Sequence, residues 1–403
     1  SRAVAMLILD AFLLLLNLLL AIPVLWFCTQ VFAACKQQSR KESDCASPET
    51  AAIAVLIPAH NESVNVIPTL RCVFQQGLPN LRVLLVADNC TDDTANIARN
   101  EGAEVIERSS ATQRGKGYAL DFGVQHLSAK PPSVLIILDA DCLLEPGALK
   151  RLSNTTLSTN RPVQALYLMK NTSNAPVRAK IAEFAWLVKN WVRPRGLHAL
   201  GLTCQLTGSG MAFPWKVIQQ VPLATGEIVE DMKLGLTLTA MGYPPVFCES
   251  AVVSSVFPSH EEGIRSQRTR WEHGHLSMMV KEGFPKLLEG VRKCDAKLFS
   301  LALDVCIPPL ALLVMSTIAL QVLGLFYWLF TSKPLPFIIG TACLLFTTAA
   351  VVMAWKKHGR SVISAKELLM IPVYMAGKLP IYVRYLFHRQ AEWVRSKRDN
   401  EPK

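Results

Sequence analysis

"LIILDADCLLEPG", residues 135–147, decides the fold. Five apolar residues, Val134 to Leu138, run into Asp139 and Asp141, one residue apart, and a polar turn, Glu145-Pro146-Gly147, follows. A short apolar run bounded by turn signals reads as a strand buried on both faces. Similar runs lie upstream at 51–57 ("AAIAVLI") and 81–87 ("LRVLLVA"), with a weaker one at 103–108 ("AEVIER"). Helical patterns separate them at about 62–76, 92–101 and 115–128. Strand–helix alternation predicts an α/β domain with a mostly parallel sheet covered on both faces. Ligands of such sheets bind beyond the carboxyl ends of the strands, so the residues that end each strand matter most.

Those ends are polar and largely acidic. The first strand runs into "PAHNES" (58–63), the second into "DNCTDDT" (88–94) and the fourth into "DADC" (139–142). No G-x-G-x-x-G follows the first strand and no G-x-x-x-x-G-K-[ST] occurs, which argues against dinucleotide and P-loop sites. Helix capping is the ordinary explanation for any one of these acids, and Asp88, Asn89 and Asp92 could all be caps. It is weakest for Asp139 and Asp141. One cap suffices, and two close carboxylates raise each other's pKa unless a cation intervenes. Mg²⁺ commonly binds one or two carboxylates together with substrate phosphates, so the pair points to a metal–diphosphate site.

Two later segments carry charge in unusual places. Glu230-Asp231 opens a helical pattern in "TGEIVEDMKLGLTL", 225–238. There an acid complements the helix dipole, or serves as a base facing the pocket. "SQRTRWEHGHLSMMV", 266–280, packs Gln267, Arg268, Arg270 and Trp271 into five residues. This is either an interfacial helix with Trp at the headgroup level or a set of Arg forks for a diphosphate. His273 and His275 have no third ligand nearby in sequence, so no zinc site is expected.

The chain has 403 residues, 51% hydrophobic and 18% charged, and the apolar excess sits at the two ends. Residues 5–34 are long enough to cross a bilayer, and too long for the apolar core of a cleaved signal peptide. Residues 299–330 and 335–355, joined by "TSKP", predict a membrane hairpin kinked at Pro308-Pro309. The stretch 368–387 is broken by Pro372, Gly377, Lys378, Pro380 and Arg384 and is expected to lie on the membrane surface, or to form a fourth span. Asp10, Asn17 and Asp304 are the main polar residues inside the apolar runs, too few for a transporter.

The charge balance is +11, and +7 of it lies in 356–403, where eleven Lys/Arg face four Asp/Glu. Basic residues flank the spans at Lys36, Arg40, Lys41, Lys356, Lys357 and Arg360, which predicts that 36–298 and the tail are cytoplasmic. Juxtamembrane basic charge suits anionic lipids, and no nucleic-acid motif accompanies it. The eleven cysteines show no C-x-x-C, which fits reduced thiols buried as small hydrophobes. The expected order is an N-terminal membrane helix (1–35), a linker (36–50), the α/β domain (51–262), interfacial helices (263–298), the hairpin (299–355) and a basic tail (356–403).

From Val55 to Trp271 the pattern resembles the membrane-bound family 2 glycosyltransferases, the GT-A-fold group that includes cellulose, chitin and hyaluronan synthases and ceramide glucosyltransferases. "VLIPAHNES" resembles the opening strand and nucleotide loop, "VADNCTDDT" the second strand end, and "RGKGYAL" a nucleotide-contacting segment. "DAD" resembles the metal-binding D-x-D, Glu230-Asp231 the E-D pair, and "QRTRW" the Q-x-x-R-W signature. A lone D-x-D is a weak signal, but all of these in order between membrane helices make a strong one.

The resemblance implies donor contacts from Pro58, His60, Asn61, Glu62, Asp88 (to uracil), Lys116 and Asp139. It implies Mg²⁺ or Mn²⁺ on Asp141 with Asp139 beside it, and Asp231 as general base next to Glu230. Gln267, Arg268, Arg270 and Trp271 would hold diphosphate and acceptor, and "TGSGMAF", with Gly208, Ser209 and Gly210, would form an acceptor loop. The implied activity is inverting transfer from a UDP-sugar to a membrane-lipid-linked or glycan acceptor at the plasma (bacterial inner) membrane, in exopolysaccharide or glycolipid assembly. The alternative is a small processive synthase of the poly-N-acetylglucosamine or chitin-oligosaccharide type. Three or four spans make a poor pore in one monomer, so that alternative would favour a homo-oligomer.

Overall fold

The computed structural model describes residues 2–37, 51–172, 174–227, 229–257 and 261–382, and only the backbone at 2, 3, 5, 261–266 and 268. Most of the expected linker (38–50) and the tail from 383 onward lie outside the described residues. The α/β region runs β1 (Ile53–Ala59), α2 (Val66–Phe74), β2 (Leu81–Asp88), α3 (Thr94–Asn100), β3 (Glu104–Arg108), α4 (Lys116–Leu127), β4 (Val134–Ile137), β5 (Leu143–Leu144), α5 (Ala148–Thr159) and β6 (Val163–Lys170). It is preceded by α1 (Arg2–Lys36). Then come α6 (Val177–Leu187), a π-helical turn (Val188–Val192), α7 (Arg193–Ala199), β7 (Met211–Pro214), α8 (Trp215–Ile218), α9 (Glu230–Ala240) and β8 (Val246–Val256). The C-terminal part holds α10 (Glu261–Met278), α11 (Phe284–Arg292), α12 (Ala296–Val305), α13 (Leu310–Thr331), α14 (Leu335–Ala354), α15 (Ala365–Leu368) and α16 (Ile371–Ala376).

One eight-stranded sheet has the order β3-β2-β1-β4-β7-β6-β8-β5. β3, β2, β1 and β4 are parallel, β7 runs antiparallel to both β4 and β6, and β8 is parallel to β6. The unbroken apolar runs follow from burial on both faces. Val55, Ile57, Leu85 and Ile136 join one core under α2, α3 and α5. Their neighbours Leu56, Leu84, Val86, Leu135 and Ile137 join the other, with α4. Gly123 lets α4 lie against the sheet, since a Cβ there would stand 2.4 Å from Leu56 Cδ1.

Among the described residues three helical segments are long and apolar enough to cross a membrane: Met6–Lys36, Leu310–Thr331 and Leu335–Gly359. The hairpin α13–α14 is close-packed at glycine, with Gly324 against the backbone of Phe337. The structure corrects the boundary of the first hairpin helix. Pro308-Pro309 does not kink one helix but separates α12 from α13. α12 lies against α9 in a small core of Met232, Leu236, Met278, Leu301, Ala302 and Val305. It belongs with the α/β region because its apolar face has that partner.

Asp304, on α12, is therefore not a polar residue in a span. It is buried, and its carboxylate receives hydrogen bonds from Arg193 Nη2 (2.6 Å), Gln30 Nε2 (2.5 Å) and Gln205 Nε2 (2.6 Å). These join α1, α7, the 200s loop and α12 at one point. Asp10, near the far end of α1, pairs with Lys333 and Tyr327 at the end of α13. Beyond α14, the segment expected on the membrane surface folds as α15, α16 and residues to 382, and Tyr374 and Met375 are buried against the apolar helices.

Candidate active site

The parallel register brings the predicted strand ends to one edge. Ala59 lies beside Ala87, and Asp88 lies beside Arg108. Arg108 Nη1 reaches Asp88 Oδ1 at 2.6 Å, both side chains being nearly buried. Arg108 was not singled out in the sequence; only the β2–β3 register pairs it with Asp88. After β1, His60 Nδ1 lies 2.7 Å from the Asp88 carbonyl. Asn61, at φ +54°, accepts the Thr91 N–H at 2.7 Å and so ties the first loop to the second. Glu62 accepts from Asn65 Nδ2, and its N–H donates to Thr94 Oγ1 at 2.8 Å. Pro58, His60, Glu62 and Asp88 line one cavity of about 270 Å³. Asn61 acts behind it as a loop tie.

Beyond β4, oxygens of Asp139 and Asp141 and the Cys142 sulfur lie within 4.8 Å of one another. Burial first, and then both neighbouring carboxylates, hold the Cys142 thiol well above its ordinary pKa. Cys142 receives the Ser209 hydroxyl at 3.2 Å. The usable donors are hard carboxylate oxygens, which suit Mg²⁺ or Mn²⁺. Lys116, at the start of α4, donates to Asp139 Oδ1 at 2.5 Å and to the Gly208 carbonyl at 2.7 Å. Burial opposes its charge, but Asp139, Glu230 and Asp231 around it hold Lys116 above the ordinary lysine value. Asp139 is thus shared with a cation of the chain, and Asp141 lies beside it on the same cavity.

The three residues of the glycine loop lie differently. Gly208, at φ +90°, lines the cavity, and a Cβ there would stand 3.4 Å from Asp231 Oδ2. Ser209 is fully buried and accepts the Asp139 N–H at 3.0 Å. Gly210 is wedged where a Cβ would stand 2.7 Å from Ala165 and Val253. Ser209 and Gly210 therefore pack behind the Asp139 end, while Gly208 faces the cavity.

Glu230 and Asp231 occupy the first turn of α9 and open into the same cavity. Burial pushes both carboxyls up. Glu230 rises to about 7, with Lys116 opposing and Asp231 adding to the rise, while Lys189 and Lys116 temper Asp231. Across the cavity, α10 brings Gln267, Arg270 and Trp271. The Arg268 side chain lies outside the described residues. Trp271 packs on Trp186 at 4.9 Å between ring centroids, and Trp186 meets Tyr167 edge-on at 5.5 Å. α10 is itself clamped. Lys378 Nζ and Tyr382 Oη donate to the buried Glu272 carboxylate at 2.5 and 2.9 Å, and His273 Nε2 lies 3.0 Å from the Ile381 carbonyl. His275 reaches the Val305 carbonyl at 2.9 Å, and burial, then nearby Lys189, lower it to about 4.

One cavity thus gathers residues from at least six separate segments of sequence: 58–62, Asp88, Lys116, 139–141, 230–231 and 267–271. Lys189, Asn190, Tyr167 and Trp186 line it too, and sequence reading missed all four. Pro194 within a helical pattern was the one available signal, since it marks a break in the helix ladder.

The mixed, mostly parallel sheet with its acidic edge has the GT-A fold of glycosyltransferases, and helices able to cross a membrane flank it. The same fold is seen in mannosyltransferase PcManGT of Pyrobaculum calidifontis, solved with GDP-Man and Mn²⁺ (TM-score 0.54, 16% identity, covering 95% of this chain and 100% of that one). The chain belongs to the glycosyltransferase like family 2, whose model matches residues 48–274. It is 23% identical over 247 residues to poly-beta-1,6-N-acetyl-D-glucosamine synthase of Staphylococcus epidermidis (58% of this chain, 57% of that protein). It is 23% identical over 252 residues to 4,4'-diaponeurosporenoate glycosyltransferase of Staphylococcus aureus (60% and 64%). These matches span under two thirds of either relative's length.

Proposed function

We propose that the chain is an inverting, metal-dependent glycosyltransferase that moves one sugar from a UDP-sugar to a membrane-lipid-linked acceptor, with its α/β region on the cytoplasmic side. The carrying observation is that single cavity, in which a carboxylate pair suited to a cation, Asp139 and Asp141, faces a second carboxylate pair, Glu230 and Asp231. Asp88, held by Arg108, receives the uracil, and the loop at Pro58, His60 and Glu62 borders the nucleotide. Asp141, with Asp139, would hold Mg²⁺ or Mn²⁺, which when bound would supply Lewis-acid neutralisation of the leaving diphosphate. Lys116 places a fixed positive charge on the same side. Gln267 and Arg270 face the diphosphate, and Trp271 packs at a tilt on Trp186 to close the cavity. Asp231 accepts the proton of the acceptor hydroxyl as its oxygen attacks the anomeric carbon. In-line attack inverts that carbon. A lipid-linked acceptor is supported by the helices able to cross a membrane and by the second, apolar cavity that adjoins this one.

The test is a screen of UDP-sugars with membranes and Mn²⁺ or Mg²⁺, reading UDP release and then the mass of the lipid-extractable product. One added sugar supports the reading. A ladder of sugars assigns the processive alternative, to which the relative named poly-beta-1,6-N-acetyl-D-glucosamine synthase lends support. No metal-dependent release with any UDP-sugar overturns both.

A further inference from the structure

The helical rod α6–α7 contains Pro194, which has no N–H to donate to the Asn190 carbonyl four residues earlier. The rod steps through a π turn there, with the Arg193 N–H bonded to the Val188 carbonyl. Such single π turns often mark functional sites. This one presents Lys189 and Asn190 to the cavity beside Asp231. Asn190 is 2% exposed, and neither polar atom of its amide has a hydrogen-bond partner among the described residues. A buried amide is costly to leave unpaired, so the pair is built for something that enters.

Lys189 also lines a second cavity, of about 190 Å³. It is apolar, walled by Phe27, Ile181, Phe184, Leu310, Val314 and Met375, and lies between the rod and the helices able to cross a membrane. The two cavities share Trp186, Lys189, Gln267, Trp271 and His275. Of the basic side chains at this junction, His275 is bonded to a carbonyl and Arg193 is taken by Asp304. Lys189 makes no ion pair among the described residues. Burial pulls it below the ordinary lysine value while Asp231 supports its charge.

We propose that Lys189 and the Asn190 amide bind the phosphate linkage of a glycolipid acceptor, whose tail lies in the apolar cavity and whose terminal hydroxyl reaches Asp231. This rests on the reading of the site as a transferase for lipid-linked acceptors. The hydroxyl oxygen bonds to the anomeric carbon, the carbon–oxygen bond to the donor diphosphate breaks, its electron pair leaves on UDP, and the proton passes to Asp231. Lys189 makes no bond in this step; it sets where the acceptor stands.

The test uses the full chain in lipid nanodiscs with Mn²⁺, the UDP-sugar from the donor screen, and two acceptors. Both have the same tail and terminal sugar, joined through phosphate in one and a neutral ether in the other. The native chain should prefer the phosphate acceptor by about tenfold or more in kcat/KM, the size of one charge-assisted hydrogen bond. Lys189→Met should raise KM for that acceptor until the two perform alike, with the donor KM unmoved. Lys189→Arg should restore the preference, and Asn190→Ala should weaken it. If Lys189→Met fails to bind UDP, the Lys189→Arg and Asn190→Ala comparisons decide. Equal loss on both acceptors with a shifted pH profile makes Lys189 only the counter-ion of Asp231 and overturns the inference, as does a native chain with no preference. In both cases the lipid-acceptor reading stands. Lipid-extractable product from neither acceptor, with sugar added only to water-soluble glycans, overturns that reading as well.

Discussion

Replacing Asp231 by Asn separates chemistry from binding. The amide keeps the carboxylate's volume, and Gly208 opposite it has no side chain to press against. Its carbonyl oxygen can still accept the Met232 N–H, at 2.9 Å in the native chain. The proposed donor contacts lie elsewhere, on Asp88 with Arg108 and on Asp139 with Asp141. What disappears is the proton acceptor. A positioned general base contributes roughly 10²–10⁴-fold, which is about 2.7–5.4 kcal/mol of barrier. Asp231→Asn should therefore lower kcat by that factor and leave the Kd for UDP with Mn²⁺ within about twofold. UDP release in detergent measures the first, and titration calorimetry the second. Turnover within about threefold of the native chain would refute the base assignment, and equal loss of UDP affinity would move Asp231 into the donor site.

The same assignment sets a pH dependence. Asp231 must be ionised to act and burial raises its pKa, so activity should fall with decreasing pH along a limb lying above the ordinary aspartate value of 3.8. An acidic limb at or below that value in a kcat profile would contradict it. Arg108→Ala should weaken UDP binding about tenfold, since it strips a charged hydrogen bond from nearly buried Asp88; unchanged affinity by calorimetry would remove the pair from the nucleotide site. Asp304→Ala should cost about 3–5 kcal/mol, because it leaves Arg193 buried without its partner. Thermal unfolding of the full chain would show a much smaller loss if Asp304 lies in open solvent or lipid. Gly196→Ala places a Cβ 1.9 Å from the Gln30 carbonyl, and should lower stability by about 1–3 kcal/mol by forcing α7 off α1; a neutral effect in the same assay would deny that close contact.

Local pattern was enough for the parallel half of the sheet. β1 to β4 begin and end within about two residues of the apolar runs read at 51–57, 81–87, 103–108 and 134–138. A strand buried on both faces has nowhere to hide a polar residue, so its chemistry writes its boundaries. The acids at those ends were legible for the same reason: two close carboxylates at the edge of such a sheet are more than a single cap requires. The antiparallel strand β7 was not legible, because four residues of "MAFP" carry no periodicity.

Helix partners were equally hidden. The run 299–330 reads as one apolar segment, yet Pro308-Pro309 divides it between a helix packed on α9 and one able to cross a membrane. Composition cannot tell a protein partner from a lipid one. The sequence alone determined an α/β sheet, its acidic edge and the order of the motifs along it, because strand burial and turn chemistry act over a few residues. Only tertiary structure decided that Arg108 grips Asp88, that Ser209 and Gly210 lie behind the cavity, and that the π turn at Val188–Val192 brings Lys189 and Asn190 to the junction of the two cavities. Those contacts depend on register and helix packing across tens to hundreds of residues, and no local pattern encodes them.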